Sequence, residues 1–203
     1  MDEPAVELRA AARAAGVGGQ GRQDHPVEGR VTGRLVAVSG LPGVGKTSVA
    51  EILAARTGSV HLSIDAVEES ILRCGLTSGW QVGVAAYEVS RAMAEQNLRL
   101  GHDVVVDAVN DSEAARQTWR TATGRTGAQI DFVHLVISDE REHERRLSDR
   151  DRGLALVGEP TWADVQRRRA DYAVWSDEVL EFDTSARTAG EIVDTLIALL
   201  GQR

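Results

Sequence analysis

Of the 23 lysines and arginines in this chain only one is a lysine, and it stands in Gly40-Leu41-Pro42-Gly43-Val44-Gly45-Lys46-Thr47. Glycine, four residues, then Gly-Lys-Thr is the spacing of a loop that cradles phosphates. Its glycines let the backbone curl until successive N–H groups converge on phosphate oxygens, and a helix starting behind the loop adds partial positive charge. Lys46 is expected to reach the β and γ phosphates of a nucleoside triphosphate, Thr47 to offer its hydroxyl to Mg²⁺, and Ser48 to follow at the same helix start. The interior of such a loop accepts a compact ammonium on a flexible stem, whereas a planar guanidinium is too broad. A chain that otherwise uses arginine therefore has lysine here.

Two acids follow apolar runs. Asp107 ends "VVVD", where a carboxylate would hold Mg²⁺ directly or through water, or would merely cap the next helix; Asn110 and Asp111 are the better candidates for that cap. Asp65 follows "VHLSI", placed either to take the proton of an attacking hydroxyl or to cap the helix behind it. In "DEREHERRLSDRDRG", Arg146 and Arg150 are four apart and so share a helical face, with Arg152 just beyond. That face could close over a nucleotide and neutralise charge on the transferring group, or be a run of mutually paired Glu and Arg. Trp80 and Tyr87 offer an aromatic platform for an acceptor, or a loop anchor and a core residue respectively. Trp119, Trp162 and Trp175 read as helix-packing residues. The five histidines lack metal-ligand spacing and read as structural or surface residues, and Cys74, alone, reads as a small buried hydrophobe.

The elements that must position these groups are legible. Short β-branched runs near 35–40, 60–64, 103–108, 130–137 and 179–184 alternate with helical patterns near 46–57, 66–73, 83–100, 111–123, 139–150, 161–174 and 187–200. This predicts an α/β fold with a five-stranded, mostly parallel sheet flanked by helices, its ligands at the carboxyl ends of the strands. Gly101 is placed as a helix C-terminal cap, and Thr161, after Pro160, as an N-cap. Residues 1–30, Ala/Arg-rich and then Gly-rich, are expected to be a flexible N-terminal extension to a domain spanning 31–203. A net charge of −8 disfavours nucleic acid and anionic membranes as partners. No run is long enough to span a bilayer and no signal peptide is visible, so a cytoplasmic protein is expected; the lone cysteine fits a reducing compartment.

The loop, Asp65, "GHDVVVDAVN", "RLSDR" and "RRRADYAVWSDEVLEFDTS" together resemble the small P-loop kinases. That group includes chloramphenicol phosphotransferase, zeta toxin, the kinase domain of polynucleotide kinase, and bacterial kinases known as AAA family ATPases from the loop alone. The resemblance covers residues 33–200 and implies an adenylate-kinase-like core with a small arginine lid. It implies ATP and Mg²⁺ as cofactors, Lys46 and Thr47 as their ligands, Asp65 as the base, Arg150 as a lid arginine, and adenine near Asp183, Thr184 and Ser185. Polynucleotide kinases carry an arginine shortly after the position of Asp65; here stand Val67, Glu68 and Glu69. Carboxylates there would repel a phosphate-bearing acceptor, so a small uncharged or cationic hydroxyl compound, such as an antibiotic or nucleoside, is the expected substrate. Polynucleotide or RNA-end phosphorylation and a nucleotide-dependent regulatory ATPase are the alternatives.

Overall fold

The computed structural model describes residues 33–150 and 152–202. The N-terminal extension expected over 1–30 lies outside the described residues. Five parallel strands, β1 (Arg34–Ser39), β2 (Val60–Ser63), β3 (Val104–Asp107), β4 (Gln129–Val136) and β5 (Val179–Asp183), form one sheet in the order β2-β3-β1-β4-β5. Seven helices are seen among the described residues: α1 (Lys46–Thr57), α2 (Ile64–Arg73), α3 (Trp80–Arg99), α4 (Glu113–Thr126), α5 (Glu140–Ser148), α6 (Trp162–Asp171) and α7 (Ala189–Leu200).

Alternation along the central strand explains why both faces are covered. Val36 and Val38 join Val49 and Leu53 of α1 and Ile192 and Leu196 of α7 in one core. Leu35 and Ala37 join Ala94 and Leu98 of α3 and Trp119 of α4 in the other. Each large aliphatic side chain so buried contributes about 1.5–3 kcal/mol. Because β1 has β3 on one side and β4 on the other, the carboxyl end of β1 is the crevice where strand order reverses, and the loop 40–47 occupies it.

Four local readings are corrected. The chain passes from β2 straight into α2, so Asp65 lies in the first helical turn and Ser63 is the N-cap. The cap of α4 is Ser112, whose hydroxyl accepts from Ala115 N–H, not Asn110 or Asp111. Helix α5 ends at Ser148, so Arg150 lies beyond the face that carries Arg146. Helix α6 stops at Asp171 rather than 174, and the carbonyls of Ala173 and Val174 beyond it accept from the buried Arg116 guanidinium. Thr161 caps α6 in a capping box, and Gly101 follows α3 with a positive φ, as expected. No described helix is long and apolar enough to cross a membrane.

Candidate active site

Loop 40–47 is bent by glycines in backbone conformations that side-chain-bearing residues rarely adopt. Gly40 has φ +139°, and a Cβ there would lie 2.3 Å from the Leu135 carbonyl oxygen. Gly45 has φ +92° and caps α1, so the helix opens on Lys46 with its N–H groups aimed at the crevice. Leu41 and Val44 turn into the core instead, and serve the site through their backbone. Lys46 is buried, and its ammonium donates to the Leu41 carbonyl at 3.0 Å. Burial lowers its pKa to about 8, against the opposing pull of Asp65 and Asp107.

A cleft of about 590 Å³ opens in front of the loop, lined in part by Gly43, Gly45, Lys46, Thr47 and Ser48. Asp65, Arg146, Arg150 and Arg152 also line it, so residues more than 100 positions apart in sequence meet there. Asp107 is nearly fully buried against His61 and Ser63, which line the cleft. Its Oδ1 accepts from Ser63 Oγ at 2.9 Å and its Oδ2 is 3.1 Å from His61 Nε2, a bond that raises the His61 pKa despite burial. The carboxylate of Asp107, fixed at both oxygens, and the hydroxyl of Thr47 in the cleft lining are hard-oxygen donors. No group of three or more His, Cys, Asp or Glu able to hold a metal occurs among the described residues. Such a site suits Mg²⁺ completed by phosphate oxygens and water.

The turn after Asp107 is held from beneath by Asn110, buried with φ +52°, a left-handed conformation asparagine tolerates. Its side chain donates to Ser39 Oγ at 2.8 Å and accepts from Trp119 Nε1 at 2.8 Å, while its carbonyl accepts from Arg116 at 3.0 Å. Gly40 N–H donates to Val109 O, so the turn and the phosphate loop are fastened together.

The arginines divide their work. Arg150 donates to Asp65 at 3.5 Å, and Arg152 makes a shorter bond to the same oxygen. Burial opposes the Arg152 charge, but its bonds to Glu159 and Asp65 raise its pKa. Arg146 points elsewhere: it pairs with Glu142 and donates to Thr184 Oγ1 at 3.2 Å and Thr184 O at 3.0 Å, at the turn after β5. Asp183 staples that turn through Ser138 and Ser185, and those bonds hold its carboxyl down at about 2. The remainder of the segment, Arg145 with Glu142 and Asp149, is the paired surface face the sequence also allowed.

Other expectations change. Glu69 does not face an acceptor. It is buried and accepts from three consecutive N–H groups, Ala155 at 3.2 Å, Leu156 at 2.8 Å and Val157 at 3.0 Å, and from Arg73. Burial alone would raise its pKa; these donors bring it to about 2. Trp80 is 74% exposed and anchors nothing. Tyr87 packs on Trp119 with its hydroxyl against Asn110, a core residue rather than a platform. Cys74 is exposed, not buried. Trp119 is a core helix residue, whereas Trp175 lies beyond α6 and stacks beneath Arg116, 3.7 Å from its ring centroid. Sequence reasoning missed the partners of His61, Glu69 and His143, which bond Asp107, the backbone of 155–157 and the phosphate loop respectively.

A family model described as an AAA domain matches residues 35–172. A "Putative adenylate kinase" of Pyrococcus abyssi is 29% identical over 173 residues, covering 82% of this chain and 83% of the relative. Among solved structures, a "putative kinase" of Chloroflexus aurantiacus superposes with a TM-score of 0.68 at 19% identity, over 86% of this chain and 99% of that one. A gluconokinase from Sinorhizobium meliloti gives a TM-score of 0.59 at 23% identity, over 85% and 94%. The chain has the fold of these P-loop kinases.

Proposed function

This chain belongs to the AAA-domain family matched over residues 35–172, and from that premise we propose that it is an ATP-dependent kinase that transfers the γ-phosphate to a hydroxyl of a small molecule. The observation that carries the reading is the convergence of Lys46, Thr47, Asp65, Arg150 and Arg152 on one cleft. Lys46 would leave the Leu41 carbonyl for the β and γ phosphates, and the N–H groups at the start of α1 would bind the same oxygens. Thr47 and Asp107 would hold Mg²⁺, which supplies charge neutralisation for the phosphates when bound.

Arg150 and Arg152 would exchange Asp65 for the triphosphate, freeing the carboxylate. Asp65 then takes the proton of the acceptor hydroxyl as its oxygen bonds to the γ-phosphorus and the bond to the β-phosphate oxygen breaks, giving a phosphate ester and ADP. Arg146 and Thr184 would border the adenine and Arg146 would serve binding rather than transfer. Glu68, in the stretch where polynucleotide kinases carry an arginine, favours an uncharged or cationic hydroxyl acceptor such as an antibiotic or nucleoside.

A second reading, a nucleotide phosphate as acceptor, is favoured by the name of the Pyrococcus relative. It also gains from the position of Glu69, which leaves Glu68 as the only one of the two carboxylates free to repel such an acceptor. A screen of sugars, aminoglycosides, nucleosides and nucleoside monophosphates with γ-labelled ATP, read by mass spectrometry, separates the two. A labelled phosphate ester supports the first reading and labelled ADP from AMP the second. Protein that binds no ATP in the presence of magnesium would refute both.

A further inference from the structure

His143 lies on α5, in a helix of charged residues, yet it is fully buried. Its Nε2 is 2.7 Å from the carbonyl oxygen of Pro42 in the phosphate loop, and its Nδ1 is 2.9 Å from a guanidinium nitrogen of Arg169 on α6. These two partners fix the proton. A guanidinium only donates, so Nδ1 must be the unprotonated acceptor; a carbonyl only accepts, so Nε2 must carry hydrogen. One form of the ring satisfies both, the neutral Nε2–H tautomer. The imidazolium would turn an Nδ1–H toward the guanidinium, losing one bond and setting two cations face to face.

The ring is also packed on the loop. A Cβ on Gly43 would lie 3.2 Å from His143 Cδ2, and Trp162 meets the ring edge-on with centroids 5.1 Å apart. Pro42 has no N–H, so its carbonyl is its only backbone polar group. Drawn toward His143, that oxygen is kept away from the anion the loop is shaped to receive.

We propose that His143 is a positioning residue: as the neutral Nε2–H tautomer it relays a hydrogen bond from Arg169 to the Pro42 carbonyl, holding the phosphate loop in its receiving curl and tying it to α6. The inference rests on the reading of loop 40–47 as a triphosphate site. The charged groups around the ring act together. Burial lowers the His143 pKa, and Arg169 from α6, Lys46 from the loop and Arg146 from its own helix lower it further, against the opposing Pro42 bond. Among the described residues, Glu140, 3.4 Å from Arg169, is the one carboxylate paired to this relay.

The test has two arms. Nitrogen-15 NMR of the labelled free protein should show His143 as the neutral Nε2–H tautomer, persisting below the pH at which an ordinary histidine charges. Calorimetric MgATP affinity should then weaken about three- to tenfold in His143→Leu, the value of one net hydrogen bond, and recover in His143→Gln, which keeps a donor near the Nε2 position. In Arg169→Met the His143 titration should move to higher pH, which a side chain that merely fills space would not do. An Nδ1–H tautomer, or a His143→Leu protein that folds and binds MgATP like the wild type, overturns the proposal. Should that variant fail to fold, the tautomer and its shift in Arg169→Met still decide it. Wild-type protein that binds no MgATP overturns the triphosphate reading instead, whatever the tautomer.

Discussion

Lys46 makes nucleotide affinity depend on pH in a direction opposite to the stability of the free protein. In the free protein burial lowers the ammonium pKa to about 8, and its one hydrogen-bond partner is the Leu41 carbonyl. Pressed against phosphates the same group stays charged, so every Lys46 that is neutral in the free protein must take up a proton on binding. Uptake per nucleotide should be about 0.1 at pH 7, about 0.5 at pH 8 and about 0.9 at pH 9, with Kd rising about tenfold per pH unit above 8. Titration calorimetry of MgATP in buffers of different ionisation heat measures this directly. The free protein should behave in the opposite sense. Its folded pKa is below the ordinary lysine value of 10.5, so the unfolded chain binds more protons between about 8 and 10.5, and folding stability gains from this group as pH rises through that window. Lys46→Met should abolish the uptake. A flat affinity from pH 7.5 to 9.5, with no proton taken up, would show that Lys46 does not meet phosphate.

Asp65→Asn should retain MgATP affinity within a fewfold and lower turnover about 10²-fold or more, measured by single-turnover transfer; wild-type turnover would remove Asp65 as the base. Glu69→Gln removes charge from the acceptor of three consecutive backbone N–H groups. It should raise KM for ATP severalfold and increase hydrogen exchange at Ala155, Leu156 and Val157 while leaving exchange in the sheet unchanged. Gly40→Ala places a Cβ 2.3 Å from a backbone oxygen and should lower Tm by several degrees and abolish nucleotide binding, whereas Gly190→Ala, with nothing within 4 Å, should be neutral or stabilising by thermal melt.

What the sequence disclosed was local. The strand–loop–helix from Arg34 to Thr57 was readable because apolar runs, glycine spacing and a lysine lie within two dozen residues, each constraining the next. The position of Asp65 at the cleft was legible by the same logic, since an acid just after a strand lies near the crevice whatever the rest of the chain does. Roles set by distant partners were hidden. Glu69 bonds a segment 86–88 residues downstream, and His143 bonds a carbonyl 101 residues upstream. Neither separation leaves a mark on composition or periodicity. Asn110 failed for a related reason: an asparagine just before a helix has two uses, and only the buried Trp119, Ser39 and Arg116 around it decide against the cap.

His143 did leave a trace, one that metal-ligand spacing does not detect. In α5, Glu140–Ser148, every residue but His143, Leu147 and Ser148 is charged, and a helix of that composition can dock only through its uncharged positions. His143 and Leu147 are four apart, on one face, and they are the two buried residues of the helix. The pairing identifies the inward face, and a histidine on an inward face must find hydrogen-bond partners for both ring nitrogens. The helix follows β4, next to β1 in the sheet, so the loop after β1 is the neighbour such a face would meet. Amphipathic spacing, topology and the demand for satisfied nitrogens thus lead to the phosphate loop as the histidine's partner, whereas a search for ligand clusters, which asks how histidines stand relative to one another, passes it by.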